Sequence, residues 1–382
     1  MKRLLSLILL LACATLAQAQ ALQPPEIAAR QYLLLDVNSG QVLAERNADA
    51  RAEPASLTKL MTAYIVFAAI RDKKIGLDQK LPVSKLAWDE RKKGGSLMFI
   101  DTTMTPTVSE LLRGLIVQSG NDAADALAEG VAGSVDAFVA MMNRQAQAWG
   151  LKNTQFKNPT GLTEDGHYSS ARDVVITARH IIQDFPEFYP IYSMRQYTYN
   201  HIKQDNRNML LGRDPTVDGM KTGYTAAAGY CLLASAQRDT PAGKRRLIAV
   251  VFGTASKEAR ADEAQKLLNW GWLAWDDVRL FDAGKPVATV PVWKGTQPEV
   301  KLGAVGALYV TVPKGEGDKV RTTIEHTDPL LAPLTRGQTV GSIKIATAAG
   351  TPIATLPLVT QEAVPLAGFF GRAWDAIRLW IK

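Results

Sequence analysis

Pro54-Ala55-Ser56-Leu57-Thr58-Lys59 sets a serine three residues before a lysine, at the head of an apolar stretch with helical periodicity. On a helix this spacing puts both side chains on one face, a turn apart. A serine so placed can pass its proton to a neutral amine, provided burial and nearby positive charge lower the lysine pKa. The helix N-terminus adds a positive dipole and free backbone N–H groups where an oxyanion would form. Alone, the pair carries little weight, because serine at a helix start is usually a cap.

Two further groups give it company. Ser119-Gly120-Asn121 follows the apolar run Leu115-Ile116-Val117-Gln118, which projects a second hydroxyl and an amide from a loop between helices. Lys221-Thr222-Gly223 follows Val217-Asp218-Gly219-Met220 and precedes a strand-like segment, so a second lysine stands on a strand edge. Gly223 there would let a substrate backbone come close. Each has a structural reading, a helix C-cap and a solvated strand end. Their occurrence together and in order points to chemistry instead. None of His167, His180, His201 and His326 has metal-ligand spacing with a second ligand, so no metal and no cofactor is expected.

The elements that must position these groups are legible in outline. Tyr32–Asp36 and Gln41–Glu45 flank Asn38-Ser39-Gly40 as a hairpin. Helical spacing runs through Leu57–Ile70, Ser109–Ala128 and Val135–Ala148, so helices fill roughly 56–185. Tyr230–Ala236 and Arg246–Phe252 read as strands joined across Gly243, and Ala261–Trp275 as an amphipathic helix. Beyond it, short apolar runs at 287–292, 308–312, 340–346 and 353–359, separated by Pro and Gly, predict a small all-β domain. In the last residues Phe369, Phe370, Trp374, Ile377, Trp380 and Ile381 share one side of a helical wheel, opposite Arg372, Asp375, Arg378 and Lys382. The stretch is too short to span a bilayer and suits a helix lying in a membrane interface, the alternative being a terminal helix docked on the domain core.

With 382 residues, 47% apolar and 21% charged, the chain has an ordinary globular composition and room for two folded units, which excludes disorder and a single small module. The net charge of +7 is spread along the chain without a basic stripe, so no nucleic-acid partner is expected. Lys2-Arg3, the apolar Leu4–Leu11 and the small-residue ends Ala17-Gln18-Ala19 and Ala19-Gln20-Ala21 make a secretory signal. Leu10-Leu11-Ala12-Cys13 also resembles a lipoprotein cleavage box, although the downstream sites explain the leader without it. Only Cys13 and Cys231 occur, so the mature chain keeps one thiol, in a buried setting, and no internal disulfide.

The three groups, as S-x-x-K, S-x-N and K-T-G, resemble in a closely related form the set shared by penicillin-binding proteins and serine β-lactamases. Their surroundings, Pro54–Thr62, Gln118–Ala123 and Val217–Thr225, are similar to the low-molecular-mass D-alanyl-D-alanine carboxypeptidases. The likeness continues through Gly161-Leu162, Tyr168–Asp173, Asn206-Arg207-Asn208, the β domain and the terminal helix. It implies an α/β fold: a transpeptidase/β-lactamase-like domain with an antiparallel sheet and helices, then a small all-β domain and an amphipathic helix. The expected parts are a signal peptide at 1–21, the catalytic domain at 22–283, the β domain at 284–362 and a membrane-anchoring helix at 363–382.

The resemblance implies Ser56 as acylated nucleophile, Lys59 as its general base with Lys221 helping to lower its pKa, and Ser119 with Lys221 in proton relay to the leaving amine. Asn121 would hold the substrate amide, the backbone N–H groups of Ser56 and Tyr224 the oxyanion, and Thr222 the terminal carboxylate, with Arg207 and Arg260 near that end or in structural ion pairs. Tyr224 replaces a histidine common after K-T-G, a change that a backbone donor tolerates. The implied activity is removal of the terminal D-alanine from peptidoglycan pentapeptide stems at the periplasmic face of the inner membrane, with β-lactams as covalent inhibitors. A β-lactamase would need a deacylation glutamate with an asparagine four residues on between Asn121 and Lys221, and none is there. An inactive scaffold would be expected to have lost one of the required groups.

Overall fold

The hairpin read from the sequence forms as β1 (Gln31–Asp36) and β2 (Val42–Arg46), antiparallel, with every residue of β1 buried. The computed structural model describes residues 23–381, so the expected leader and Cys13 lie outside the described residues. Contacts divide the chain into one unit that runs to Asp239 and resumes over Lys244–Gly271, and a second made of Thr240–Gly243 and Trp272–Lys382.

In the first unit a small hairpin, β3 (Gln196–Tyr199) with β4 (Ile202–Asp205), stands apart from the main sheet. β5 (Val217–Thr225), β6 (Gly229–Thr240) and β7 (Gly243–Thr254) complete a five-stranded sheet in the order β2-β1-β7-β6-β5. β1 is therefore an interior strand, and its run of Leu33, Leu34 and Leu35 has no polar alternation because both faces are covered. β5 is an edge strand, with one side free to face a ligand.

The helix Lys59–Arg71 is buried from Lys59 through Phe67, as its all-round apolar sequence requires. Around it pack the helices Asn121–Ala132, Val135–Ala148 and Ala171–Asp184. Unbroken periodicity through Ser109–Ala128 conceals a discontinuity. The chain forms Val108–Arg113 as α-helix, widens to a π-turn over Gly114–Gln118, turns at Ser119 and restarts at Asn121. Ser119 itself is left-handed, with φ 63°. Ser84 and Ser170 cap their helices by accepting N–H bonds, and Thr107 with Glu110 forms a capping box.

The second unit begins before the expected residue 283, because β8 (Trp275–Phe281) pairs with β11 (Leu308–Pro313). Trp275 accordingly starts a strand rather than ending the preceding helix, which spans Lys257–Ala274. β9 (Ala288–Trp293), β10 (Glu299–Gly303), β12 (Arg321–His326), β13 (Leu330–Leu331), β14 (Thr339–Ala346) and β15 (Pro352–Thr360) form a sheet in the order β12-β14-β15-β10-β9-β13. Its core includes Val300, Leu302, Val310, Val312, Ile343, Ile345 and Leu358. Val364 also belongs to that core and bridges Leu334, so the segment from 363 to the terminal helix is part of the β unit.

The terminal helix, Phe369–Ile381, meets its own unit through polar residues. Asp375 Oδ2 accepts the Lys294 N–H at 2.6 Å, and the Arg378 guanidinium lies over the Trp293 ring at 5.2 Å. Its apolar residues face outward, Phe370 at 87% and Trp380 at 89% exposure. Among the described residues no helix is long and apolar enough to cross a membrane.

Candidate active site

Ser56 lies in the 3-10 turn Ala55–Thr58, which runs directly into the helix beginning at Lys59. Ala55, immediately before it, is held at φ 47°, a conformation that costs energy for a residue with a Cβ and persists only where its surroundings impose it. They do so from two sides. A Cβ on Gly223 would stand 3.1 Å from Ala55 Cβ and 3.3 Å from the Ser56 nitrogen, so the edge strand β5 lies tight against the turn. Gly223 thus makes room for the protein's own backbone, and its reading as a gap for substrate needs that amendment. Opposite, Gly161 at φ +80° presses so close that a Cβ would fall 1.9 Å from the Ala55 carbonyl oxygen.

The Lys59 amine, 1% exposed, is the meeting point. Its Nζ is 3.0 Å from Ser56 Oγ, 2.7 Å from Asn121 Oδ1 and 2.6 Å from the Thr160 carbonyl oxygen. A neutral amine has two hydrogens and a lone pair. Two oxygens that can only accept, Asn121 Oδ1 and Thr160 O, take the hydrogens, and the lone pair is left for the Ser56 hydroxyl. Burial, against opposing carboxylates, drives the Lys59 pKa down to about 7, so a large share of the amine is neutral near physiological pH. Arg207 adds to the lowering of Lys59, and the buried Lys59 and Lys221 amines disfavour each other's charge, burial and Lys59 holding the Lys221 pKa well below its ordinary value.

Ser119, carried inward by its left-handed backbone, receives a hydrogen bond from Lys221 Nζ at 2.9 Å, and both side chains are buried. The following turn is anchored by Asp122, whose carboxylate accepts the N–H groups of Met98, Ile100 and Ala123. The Asn121 N–H donates to Ser96 O at 2.7 Å. The loop bearing Thr160 is similarly tied: Asn158 Oδ1 accepts from the Thr160 hydroxyl and the Gly161 N–H, and the Thr62 hydroxyl donates to Pro159 O. His167 sits behind it, its Nδ1 accepting from the Lys157 N–H, which assigns the proton to Nε2 beside Thr58 Oγ1 at 2.9 Å.

These segments enclose a cavity of about 620 Å³ lined by Ser56, Ser119, Asn121, Thr222, Gly223 and Tyr224, with Arg207 and Arg260 at its wall. The Lys59 and Lys221 amines, outside that lining, contact the Ser56 and Ser119 hydroxyls. Arg207 donates to Ser96 Oγ, and Arg260 to the carbonyls of Gly223 and Arg207, each at 3.3 Å. Among the described residues neither guanidinium forms an ion pair, although burial lowers the pKa of both. One buried guanidinium, Arg260, and one exposed guanidinium, Arg207, on a cavity wall without carboxylate partners suit an anionic ligand group. Cys231, on β6 opposite Gly223, is buried and has its thiol pushed up to about 11 by that burial.

The residue types could not have revealed the Thr160 carbonyl, since any residue supplies one; the turn-forming Asn158-Pro159-Thr160-Gly161 was the available hint. Ser96 and Asp122 were missed too, and only the second follows a recognised group directly.

A family model described as D-alanyl-D-alanine carboxypeptidase matches residues 18–256, and one described as the C-terminal domain of penicillin-binding protein 5 matches 275–366. The chain is 44% identical over 361 residues to the D-alanyl-D-alanine carboxypeptidase DacA of Haemophilus influenzae, covering 94% of this chain and 91% of that one. The crystal structure of penicillin binding protein 5 from Haemophilus influenzae superposes with a TM-score of 0.85 at 43% identity, over 90% of this chain and 99% of that one. Penicillin-binding protein D2 from Listeria monocytogenes, in its ampicillin-bound form, matches 65% of this chain and all of its own, at 33% identity and a TM-score of 0.59.

The fit of Gly161 against Ala55 makes a sharp expectation. Gly161→Ala should destabilise the protein by about 2–4 kcal/mol in urea titration, whereas Gly133→Ala, equally left-handed at φ +79° but with open space around it, should cost about 1 kcal/mol. Equal costs would mean that no steric constraint acts at Ala55.

Proposed function

From a chain that belongs to the D-alanyl-D-alanine carboxypeptidase family, we propose an exported serine-type enzyme that removes the terminal D-alanine of peptidoglycan pentapeptide stems through an ester at Ser56. The carrying observation is the Lys59 amine, set 3.0 Å from Ser56 Oγ with both its hydrogens engaged by acceptor oxygens.

Ser56 Oγ attacks the carbonyl carbon of the penultimate D-alanine while its proton passes to the Lys59 lone pair. The carbonyl oxygen becomes an oxyanion between the backbone N–H groups of Ser56 and Tyr224, segments that the tight packing of β5 keeps adjacent. Collapse breaks the amide bond; the departing amine takes the Ser119 hydroxyl proton, which is replaced through Lys221, hydrogen-bonded to it at 2.9 Å, and the proton taken from Ser56 passes from Lys59 into that relay, so that Lys59 is neutral again for the second step. Asn121 holds the substrate amide. Thr222, with Arg207 and Arg260 nearby, receives the terminal carboxylate that those cations lack.

D-alanine then leaves, and water attacks the ester with Lys59 or Ser119 taking its proton. A β-lactam opens on the same serine, but its amine stays tethered beside the ester and obstructs water. Free D-alanine should therefore be released over many turnovers from a pentapeptide ending in D-Ala-D-Ala, with penicillin giving a stoichiometric burst and slow recovery. Replacing Lys59 by arginine keeps the charge and removes the base, so acylation by a fluorescent penicillin should fall by about 10²–10⁴-fold in stopped flow. Near wild-type acylation of that variant would refute the role of Lys59.

The signal at 1–21 would deliver the enzyme to the periplasm, and the terminal helix would hold it on the membrane surface. Its outward-facing Phe369, Phe370, Trp374, Ile377, Trp380 and Ile381 support this, because its polar side is already engaged by its own unit. Val364 is core, so the anchor is best removed from Phe369 onward. Deletion of 369–382 should leave D-alanine release unchanged and move the enzyme to the soluble periplasmic fraction; continued pelleting with membranes would favour the lipidated Cys13.

A further inference from the structure

Glu53 stands just ahead of the nucleophile turn, half-buried and outside the residues that line the cavity. Its backbone is fixed from behind, because Ala52 exchanges both N–H···O bonds with Ser169, at 2.8 and 2.9 Å. One oxygen of its carboxylate, Oε2, accepts the Thr163 hydroxyl at 2.8 Å and the Thr225 hydroxyl at 2.7 Å. Thr163 follows the loop whose Thr160 carbonyl takes a Lys59 hydrogen and whose Gly161 presses on Ala55. Thr225 ends β5, next to Tyr224. With its hydrogen given to Glu53, the Thr225 hydroxyl accepts the Ala228 N–H at 2.9 Å and so fastens the turn between β5 and β6. Among the described residues no hydrogen bond runs directly between residues 158–163 and β5, and the Glu53 carboxylate is the polar link between them.

We propose that Glu53 is a positioning residue for acylation: its carboxylate clasps the loop that orients the Lys59 amine to the strand end that carries the Tyr224 N–H, so that base and oxyanion donor keep one spacing about Ser56. This rests on the catalytic reading of Ser56, Lys59 and Tyr224. Packing sets only half of that spacing. Gly161 and Gly223 meet the nucleophile turn from opposite sides, and steric contact limits how near loop and strand can come. A hydrogen-bonded clasp limits how far they can part. A carboxylate suits the task because an ionised oxygen only accepts, can take two hydroxyl hydrogens at once, and forms bonds roughly twice as strong as neutral ones. Loosening the clasp lets the Tyr224 N–H and the Thr160 carbonyl drift from the reacting atoms, which slows the chemical step and spares the contacts that bind the ligand beforehand.

Stopped-flow acylation by a fluorescent penicillin separates these effects. It yields the dissociation constant of the encounter complex, the first-order acylation constant and, from the burst amplitude, the fraction of molecules able to react, so misfolded protein does not enter the rate. Glu53→Ala should slow acylation about tenfold and leave the encounter constant within about twofold of wild type. Glu53→Gln keeps an oxygen that can accept both hydroxyls, and should return to within about threefold of the wild-type rate. Thr163→Val, an exposed change that removes one arm, should slow acylation about threefold by itself and add nothing to Glu53→Ala. A wild-type rate in Glu53→Ala, a loss confined to its burst amplitude, or a Glu53→Gln enzyme as slow as Glu53→Ala overturns the proposal. So does Thr163→Val at the wild-type rate, an outcome readable even where Glu53→Ala does not fold. A wild-type enzyme that is not acylated at Ser56 would bring down the catalytic reading, and this inference with it; normal wild-type acylation with an unslowed Glu53→Ala defeats the inference alone.

Discussion

An amine withdrawn from water must find its hydrogen-bond partners inside the protein, and the first unit is organised around meeting that demand for Lys59. Its three oxygen neighbours come from the adjoining turn at Ser56 and from two segments distant in sequence, the helix start at Asn121 and the loop at Thr160. Each segment carries secondary ties that leave it little freedom. Asp122 collects three backbone N–H groups, Asn158 organises the Thr160 loop, and Gly161 and Gly223 clamp the strained Ala55 from opposite sides. Reactivity here is a product of satisfied burial. The same enclosure that lowers the Lys59 pKa supplies the acceptors that aim its lone pair.

Local spacing made part of this readable in advance. Ser56 and Lys59 are three residues apart on one turn, so their encounter follows from helix geometry alone, and the hairpin at Asn38-Ser39-Gly40 and the burial of Cys231 follow from equally local cues. Contacts across long separations were reachable only through the family likeness, as with Ser119 and Lys221. What escaped both was backbone: the Thr160 carbonyl has no residue signature, since any residue supplies one.

The second unit shows where strand patterns fail. β8 opens with Trp275-Asp276-Asp277 and β12 reads Arg-Thr-Thr-Ile-Glu-His, compositions too polar to stand out as strands. Both earn their place by pairing, β8 with β11 and β12 at the edge of the larger sheet. The terminal helix reverses the usual arrangement of an amphipathic element. Asp375 and Arg378 engage Lys294 and Trp293, and the aromatic face is left outward. Docking on the domain core, the alternative open at the level of sequence, would have turned those aromatics inward.

In the resting protein a large share of Lys59 stands as a neutral amine beside Ser56. Direct titration of that amine in the full-length protein, by NMR of lysine labelled at the ε-carbon and assigned with Lys59→Arg, reads this without any substrate. The expected midpoint is at about 7. A midpoint near 10.5, the value of an unperturbed lysine, would contradict it.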